Sequence, residues 1–323
     1  MREAQRLEII SRLTRLDPIA PGSLKPRLKI PGPIRAVLFD IYGTLLISGS
    51  GDISHHAKLN SGGNDSGHAR PGAVKIGELL ENCGYKASKQ LSFHLLGGTL
   101  RQKIAERREQ MRAGGIEHPE VDIRDIWKKT LDTLWEGGLL LEPPSPLFVD
   151  LLALRYELAV NPVWPMPGFP SIIRELRDSG LRIGIVSNAQ FYTPLVLQAI
   201  CDKAISQIGF EEKLCSWSYK LSEAKPSINI FKAPLAQLAK DQIRAAEVLY
   251  IGNDKLNDMA SASGIGCKTA LFAGDKRSLR LREGSPEADI EPDMVITELS
   301  ELRVLKNQRI KEEGNGQQER TSK

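Results

Sequence analysis

Ala36-Val37-Leu38-Phe39-Asp40-Ile41-Tyr42-Gly43-Thr44-Leu45 is the stretch from which the fold can be read. Four apolar residues in a row, without the polar alternation of a half-exposed strand, describe a strand buried on both faces, as in a parallel sheet covered by helices. The run delivers one carboxylate, Asp40, to its carboxyl end, and Gly43 follows where the chain must turn. In open α/β sheets ligands bind beyond the carboxyl ends of the strands, which makes Asp40 the first candidate site residue.

The same unit recurs along the chain. Residues 181–186 and 248–251 are further apolar runs, ending at Ser187 and at Gly252-Asn253-Asp254, and 214–219, 268–272 and 294–297 complete the expected strands. Segments 171–178, 191–200 and 228–239 carry apolar residues at helical spacing. Short buried strands alternating with helices predict an α/β chain with a doubly wound, Rossmann-like parallel sheet. Between Leu46 and Pro167 no buried strand is expected, and helices are expected over 74–82, 100–112, 123–135 and 147–156. The expected organisation is 1–33 as an N-terminal helix and linker, 34–47 and 166–302 as the α/β core, 48–165 as a helical insertion, and 303–323 as a polar, disordered tail. Leu7, Ile10, Leu13 and Leu16 predict an amphipathic first helix stopped by Asp17-Pro18, and 48–72 has loop composition.

With 41% hydrophobic and 26% charged residues among 323, the chain has the make-up of a soluble globular protein. Its formal charge is only +4, and residues 1–33 alone carry seven basic against three acidic side chains, so no nucleic-acid partner is expected. No apolar run approaches the roughly 20 residues that cross a bilayer. The first residues mix charge with apolar side chains and lack the hydrophobic stretch of a secretory signal. A cytoplasmic protein without membrane contact, acting on a small molecule, is the expectation. Cys83, Cys201, Cys215 and Cys267 show no CxxC pairing and read as reduced, buried thiols. His55, His56 and His68 lie in loop composition without metal-ligand spacing and read as exposed; Trp127 and Trp135 read as core.

Asp40 is one of four pieces that fall in order. Ser187-Asn188 follows the second strand, Lys225-Pro226 precedes a helix, and Gly252-Asn253-Asp254 with Asp258 follows a later strand. With Asp40-Ile41-Tyr42-Gly43-Thr44 they resemble the motifs of the haloacid dehalogenase superfamily, and the insertion falls where that superfamily carries a helical cap. The resemblance spans 35–297 and is weakest over the insertion. It implies a hydrolase in which Asp40 attacks an electrophilic phosphorus or carbon, giving a covalent ester that water then cleaves. It assigns the holding of developing negative charge to the Ser187 hydroxyl, with Asn188 beside it, and to the Lys225 ammonium. Thr44, in the turn of the first motif, is a further candidate catalytic residue on this resemblance. The resemblance also implies Mg2+, with Asp40, the backbone carbonyl of Tyr42 and Asp254 as protein oxygens and Asp258 as a ligand or the partner of one. Each residue has a plainer reading too: strand-end and helix-start acids, helix-capping Ser and Asn, a surface lysine.

Tyr42 departs from the pattern. Most phosphatases of the superfamily place a second Asp there, which protonates the leaving oxygen; a phenol with a pKa of about 10 is a poor substitute at neutral pH. Tyr at this position is characteristic of the 2-haloacid dehalogenases, whose halide leaves without a proton. Asn253-Asp254 with Asp258 pulls the other way, toward a metal-dependent phosphatase. The arginine that holds a haloacid carboxylate has no clear match; Arg70 lies at a comparable distance after the nucleophile. The leading expectation is a Mg2+-dependent hydrolase of a phosphorylated small molecule. A dehalogenase is the second, and a catalytically silent binding or regulatory protein on the same fold is the third.

Overall fold

The computed structural model describes residues 1, 3–22, 24–51 and 76–306. In chain order the strands are β1 (Ala36–Phe39), β2 (Leu46–Ser48), β3 (Val163–Pro165), β4 (Arg182–Ser187), β5 (Cys215–Trp217), β6 (Val248–Gly252), β7 (Lys268–Phe272) and β8 (Met294–Ile296). Six of them form one parallel sheet in the order β5-β4-β1-β6-β7-β8. The apolar run 36–39 lies at its centre, with Phe39 opposite both Ile185 and Ile251. Successive side chains of β1 enter opposite cores, as the pleat requires. Val37 and Phe39 join one apolar cluster, Ala36 and Leu38 the other. Because all six strands run the same way, Asp40, Ser187 and Asn253-Asp254 emerge at one edge.

The sequence expects no strand between Leu46 and Pro167, and here the structure differs. β2 and β3 pair antiparallel, Leu46 opposite Pro165 and Ser48 opposite Val163. Each is only three residues long, too short to show a period. Between them lie the helices Ile76–Glu81, Phe93–Ala113, Ile123–Glu136 and Val149–Val160. Phe93–Ala113 begins seven residues before the expected start, where the Ser92 hydroxyl accepts from the Leu95 amide at 3.1 Å and caps it. Trp127 is buried against Tyr156, while Trp135, eight residues on, is exposed. His55, His56, His68 and Arg70 lie outside the described residues.

The first helix is Glu3–Ile10, shorter than its apolar spacing suggests. Its one fully buried side chain is Ile9, whereas Leu7 and Ile10 are exposed. Glu8 joins it to the insertion through Arg155, at 2.7 Å. At the other end order continues past 302: Arg303 pairs with Glu175 at 2.8 Å and Leu305 is fully buried. The rest of the tail, 307–323, lies outside the described residues. All four cysteines are free thiols, Cys83 and Cys267 buried, Cys201 and Cys215 only half-buried. Among the described residues no helix is long and apolar enough to cross a membrane.

Candidate active site

Three strand ends and two loops converge on one small polar cleft. Asp40 follows β1, the Lys225 loop follows β5, and β6 runs into Asn253-Asp254 and the π-helical turn Lys255–Ala260. Such wide turns are rare and concentrate at functional sites. This one brings Asp258 back under the end of β6, where its Oδ2 accepts from the amides of Asn253 and Asp254, both at 2.9 Å. Gly252 is required there, because a Cβ would stand 2.3 Å from the Asp258 carboxyl carbon.

Lys225 sits between two acids. Its Nζ lies 2.9 Å from Asp40 Oδ1 and 2.5 Å from Asp258 Oδ1, and donates to the Tyr250 hydroxyl at 2.8 Å. All three charged groups are buried. Burial pushes the Asp40 carboxyl up to about 7; Lys225 and the Ser187 hydroxyl bond oppose the rise, while Asp258 adds to it. Burial works against the Lys225 ammonium as well, but Asp258 and Asp40 outweigh it and hold the group above its ordinary value. Lys225 therefore stays a cation and keeps Asp40 from meeting Asp258 as an unscreened like charge.

The other expected residues take different places. Asn188 embraces the Lys225 backbone, accepting from its amide at 2.8 Å and donating to its carbonyl at 3.2 Å, and so sets where the lysine side chain starts. Thr44 is fully buried and donates to Asn253 Oδ1 at 3.2 Å, tying the first motif to the fourth. Its hydroxyl makes a positioning contact, and the residue does not line the cleft. The Tyr42 hydroxyl shares a 3.0 Å hydrogen bond with Thr193 at the start of the helix Tyr192–Cys201. Asp254 caps the turn that follows it, accepting from the Leu256 amide at 2.9 Å, and is gripped by the Arg282 guanidinium, whose Nε lies 2.7 Å from Oδ1 and whose Nη2 contacts Oδ2. Burial raises the Asp254 carboxyl and Arg282 draws it down, with a net rise.

Tyr250, Arg280 and Arg282 were not singled out from the sequence. Tyr250 hides within an apolar strand, although a buried phenol must find a partner; its hydroxyl donates to the Val186 carbonyl at 2.8 Å and meets Asp258 at 3.0 Å. Arg280 lines the cleft and Arg282 covers Asp254. Both lie in the basic run Lys276-Arg277-Ser278-Leu279-Arg280-Leu281-Arg282, beyond the carboxyl end of β7, and that placement was the available signal.

The open volume of the cleft is about 20 Å3, room for little more than one water. Oxygens from Asp40, Asp254 and the Tyr42 carbonyl suit a hard divalent cation. Among the described residues no three His, Cys, Asp or Glu side chains are gathered into an ion site by themselves. A cation there would complete its shell with backbone oxygen and water, which magnesium tolerates, and would have to take Asp254 from Arg282.

A profile of haloacid dehalogenase-like hydrolases matches residues 34–266. A ribulose-1,5-bisphosphate 5-phosphatase from Halopiger xanaduensis is 26% identical over 177 residues, which cover 53% of this chain and 70% of that one. The crystal structure of a 2-haloacid dehalogenase from Pseudomonas syringae pv. Tomato superposes with a TM-score of 0.52 at 16% identity, over 84% of this chain and 97% of that one. An HAD-hydrolase of Bacillus subtilis bound to magnesium gives 0.46 at 16% identity, over 85% of this chain and all of that one. The structural likenesses are of fold. Over most of its length, and with its strand-end motifs in order, the chain belongs to the haloacid dehalogenase-like hydrolases.

Proposed function

We propose that the chain hydrolyses a phosphorylated small molecule through a covalent aspartyl phosphate on Asp40, with Mg2+ as cofactor. The observation that carries this reading is Lys225, a buried cation within 2.9 Å of Asp40 and 2.5 Å of Asp258. It opposes the burial that raises the Asp40 carboxyl, favouring the ionised nucleophile, and supplies fixed positive charge as the phosphoryl group arrives. An Asp40 oxygen attacks phosphorus as the bond to the leaving oxygen breaks, and that oxygen departs as an alkoxide or phenoxide that water protonates. Water then hydrolyses the acyl phosphate, returning the Asp40 carboxylate and releasing phosphate. Asp40, the Tyr42 carbonyl and Asp254 would hold the cation, which when bound supplies further neutralisation of phosphoryl charge.

The phosphatase reading rests further on Asp254 beside Asp258 and on the similarity to a sugar bisphosphatase. Tyr42 favours the dehalogenase reading: its hydroxyl is engaged with Thr193 and offers the leaving group no carboxylic proton. The test is the dependence of rate on leaving group. Aryl and acyl phosphates should turn over with Mg2+, alkyl phosphates hardly at all, and Tyr42→Asp should rescue the alkyl esters by up to about 100-fold, the low end of general acid catalysis. Release of halide from a 2-haloacid without phosphate release would overturn the proposal in favour of carbon–halogen cleavage. Wild-type turnover in Asp40→Asn would remove Asp40 from the reaction.

A further inference from the structure

Beside the catalytic cleft lies a second, largely open depression of about 150 Å3, lined by Arg108, Arg112, Glu117 and His118 of the insertion and by Ala224 and Lys225 of the core. Lys225 lines both spaces. The floor is built firmly. Pro119 bridges to Glu223, the Ala224 amide donates to the His118 carbonyl at 2.9 Å, and the Glu120 amide donates to the Ser222 carbonyl at 3.0 Å.

Arg108 is the unusual member. Its side chain is 21% exposed, and its Nε is buried without a hydrogen-bond partner among the described residues. Fully buried Glu120 stands 3.6 Å from Nη2, within ion-pair distance but beyond hydrogen-bond reach. The Glu120 oxygens are taken elsewhere, Oε2 by the Ser218 hydroxyl at 3.0 Å and Oε1 by the Val121 amide at 3.0 Å. A donor buried without an acceptor is costly, and the planar fork of a guanidinium matches a carboxylate or phosphate. Arg112 adds a second guanidinium and His118 an imidazole. Both have exposed acids within ion-pair distance, Glu117 3.7 Å from His118 Nε2 and Glu109 3.6 Å from Arg112 Nη1, with their side chains 87% and 78% exposed.

We propose that this depression binds a second anionic group of the substrate, so that the preferred substrates are phosphate esters bearing a further carboxylate or phosphate. The inference rests on the phosphatase reading for the reacting end, while the anion site itself is testable without turnover. The first probe is thermal stabilisation by 3-phosphonopropanoate, which carries phosphonate and carboxylate, against ethylphosphonate, which lacks the carboxylate. The former should act at about tenfold lower concentration or less, as one charge-assisted contact warrants. Arg108→Gln should erase the difference and Arg108→Lys should restore part of it. The second probe is hydrolysis of 4-carboxyphenyl phosphate relative to phenyl phosphate. The ratio of kcat/KM should be about tenfold or more in favour of the carboxylated ester and fall toward one in Arg108→Gln, chiefly through KM. Equal stabilisation by the two phosphonates, or a preference unaltered in a folded Arg108→Gln protein, would overturn the proposal. Stabilisation that depends on Arg108 without hydrolysis of either ester would keep the anion site and remove the phosphatase reading.

Discussion

Replacing Lys225 by Met keeps a long unbranched side chain and removes one charge from a buried set of three. The remaining pair are Asp40, 8% exposed, and Asp258, 1% exposed, which had shared Nζ contacts of 2.9 and 2.5 Å. Taking one partner from a buried ion pair costs about 3–5 kcal/mol, because the survivor is left charged and unsolvated. Proton uptake by the carboxyls caps the loss near that range. Asp258 retains two backbone amides and the Tyr250 hydroxyl, so the greater share falls on Asp40. Adding Asp40→Asn should then return part of the stability: the double variant should be more stable than the sum of the single changes predicts, by about 1–3 kcal/mol. Urea unfolding of all four proteins at pH 8, with EDTA present, measures the cycle. Additivity within about 0.5 kcal/mol would show that Lys225 does not shield Asp40. A Lys225→Met protein within about 1 kcal/mol of wild type would count against the whole buried triad.

Arg282→Gln should lower the Mg2+ concentration needed for half-maximal thermal stabilisation by about tenfold, since the guanidinium competes for Asp254; unchanged or weaker binding would refute the competition. The Arg155 hydrogen bond holds the Glu8 carboxyl below its ordinary 4.5, with burial opposing and Arg12 assisting. A depressed folded-state value means stability present above about pH 4.5 and lost as pH falls through the folded value, so the wild-type advantage over Glu8→Gln should be about 0.5–1 kcal/mol at pH 7 and decline as the pH is lowered below 4.5; an advantage that does not decline in acid argues against the pair. Gly184→Ala would set a Cβ 2.4 Å from the Leu214 carbonyl oxygen and 2.7 Å from Leu38 Cδ2. It should destabilise by about 1–3 kcal/mol in urea unfolding, and a neutral result would mean that β4 and β5 yield.

The central strand and its neighbours were legible because burial on both faces leaves an unbroken apolar run, and Ala36–Phe39 ends where the pattern says. Asp40, Lys225 and Asp258 were legible because each follows such a run or opens the next helix. Partners supplied by tertiary approach were not. Nothing near Arg282 in sequence indicates Asp254, 28 residues earlier, and nothing in the strand Val248–Gly252 announces that Tyr250 touches Lys225. The first helix misled for a different reason: Leu7 and Ile10 have the spacing of a buried stripe, yet Ile9 is the residue the core accepts. In the insertion, Ser92 started a helix before the apolar period began.

The short ribbon of β2 and β3 has a consequence for how such a chain can change. Exit and re-entry of the inserted segment lie side by side, with Leu46 against Pro165, so the segment is a loop whose ends the core has already joined. Lengthening a flexible loop closed in this way costs only about 0.6 kcal/mol per doubling. The helices between the two strands can be enlarged, trimmed or exchanged as a cassette, while Asp40 keeps its place in β1's wake, set by a sheet that the cassette never enters.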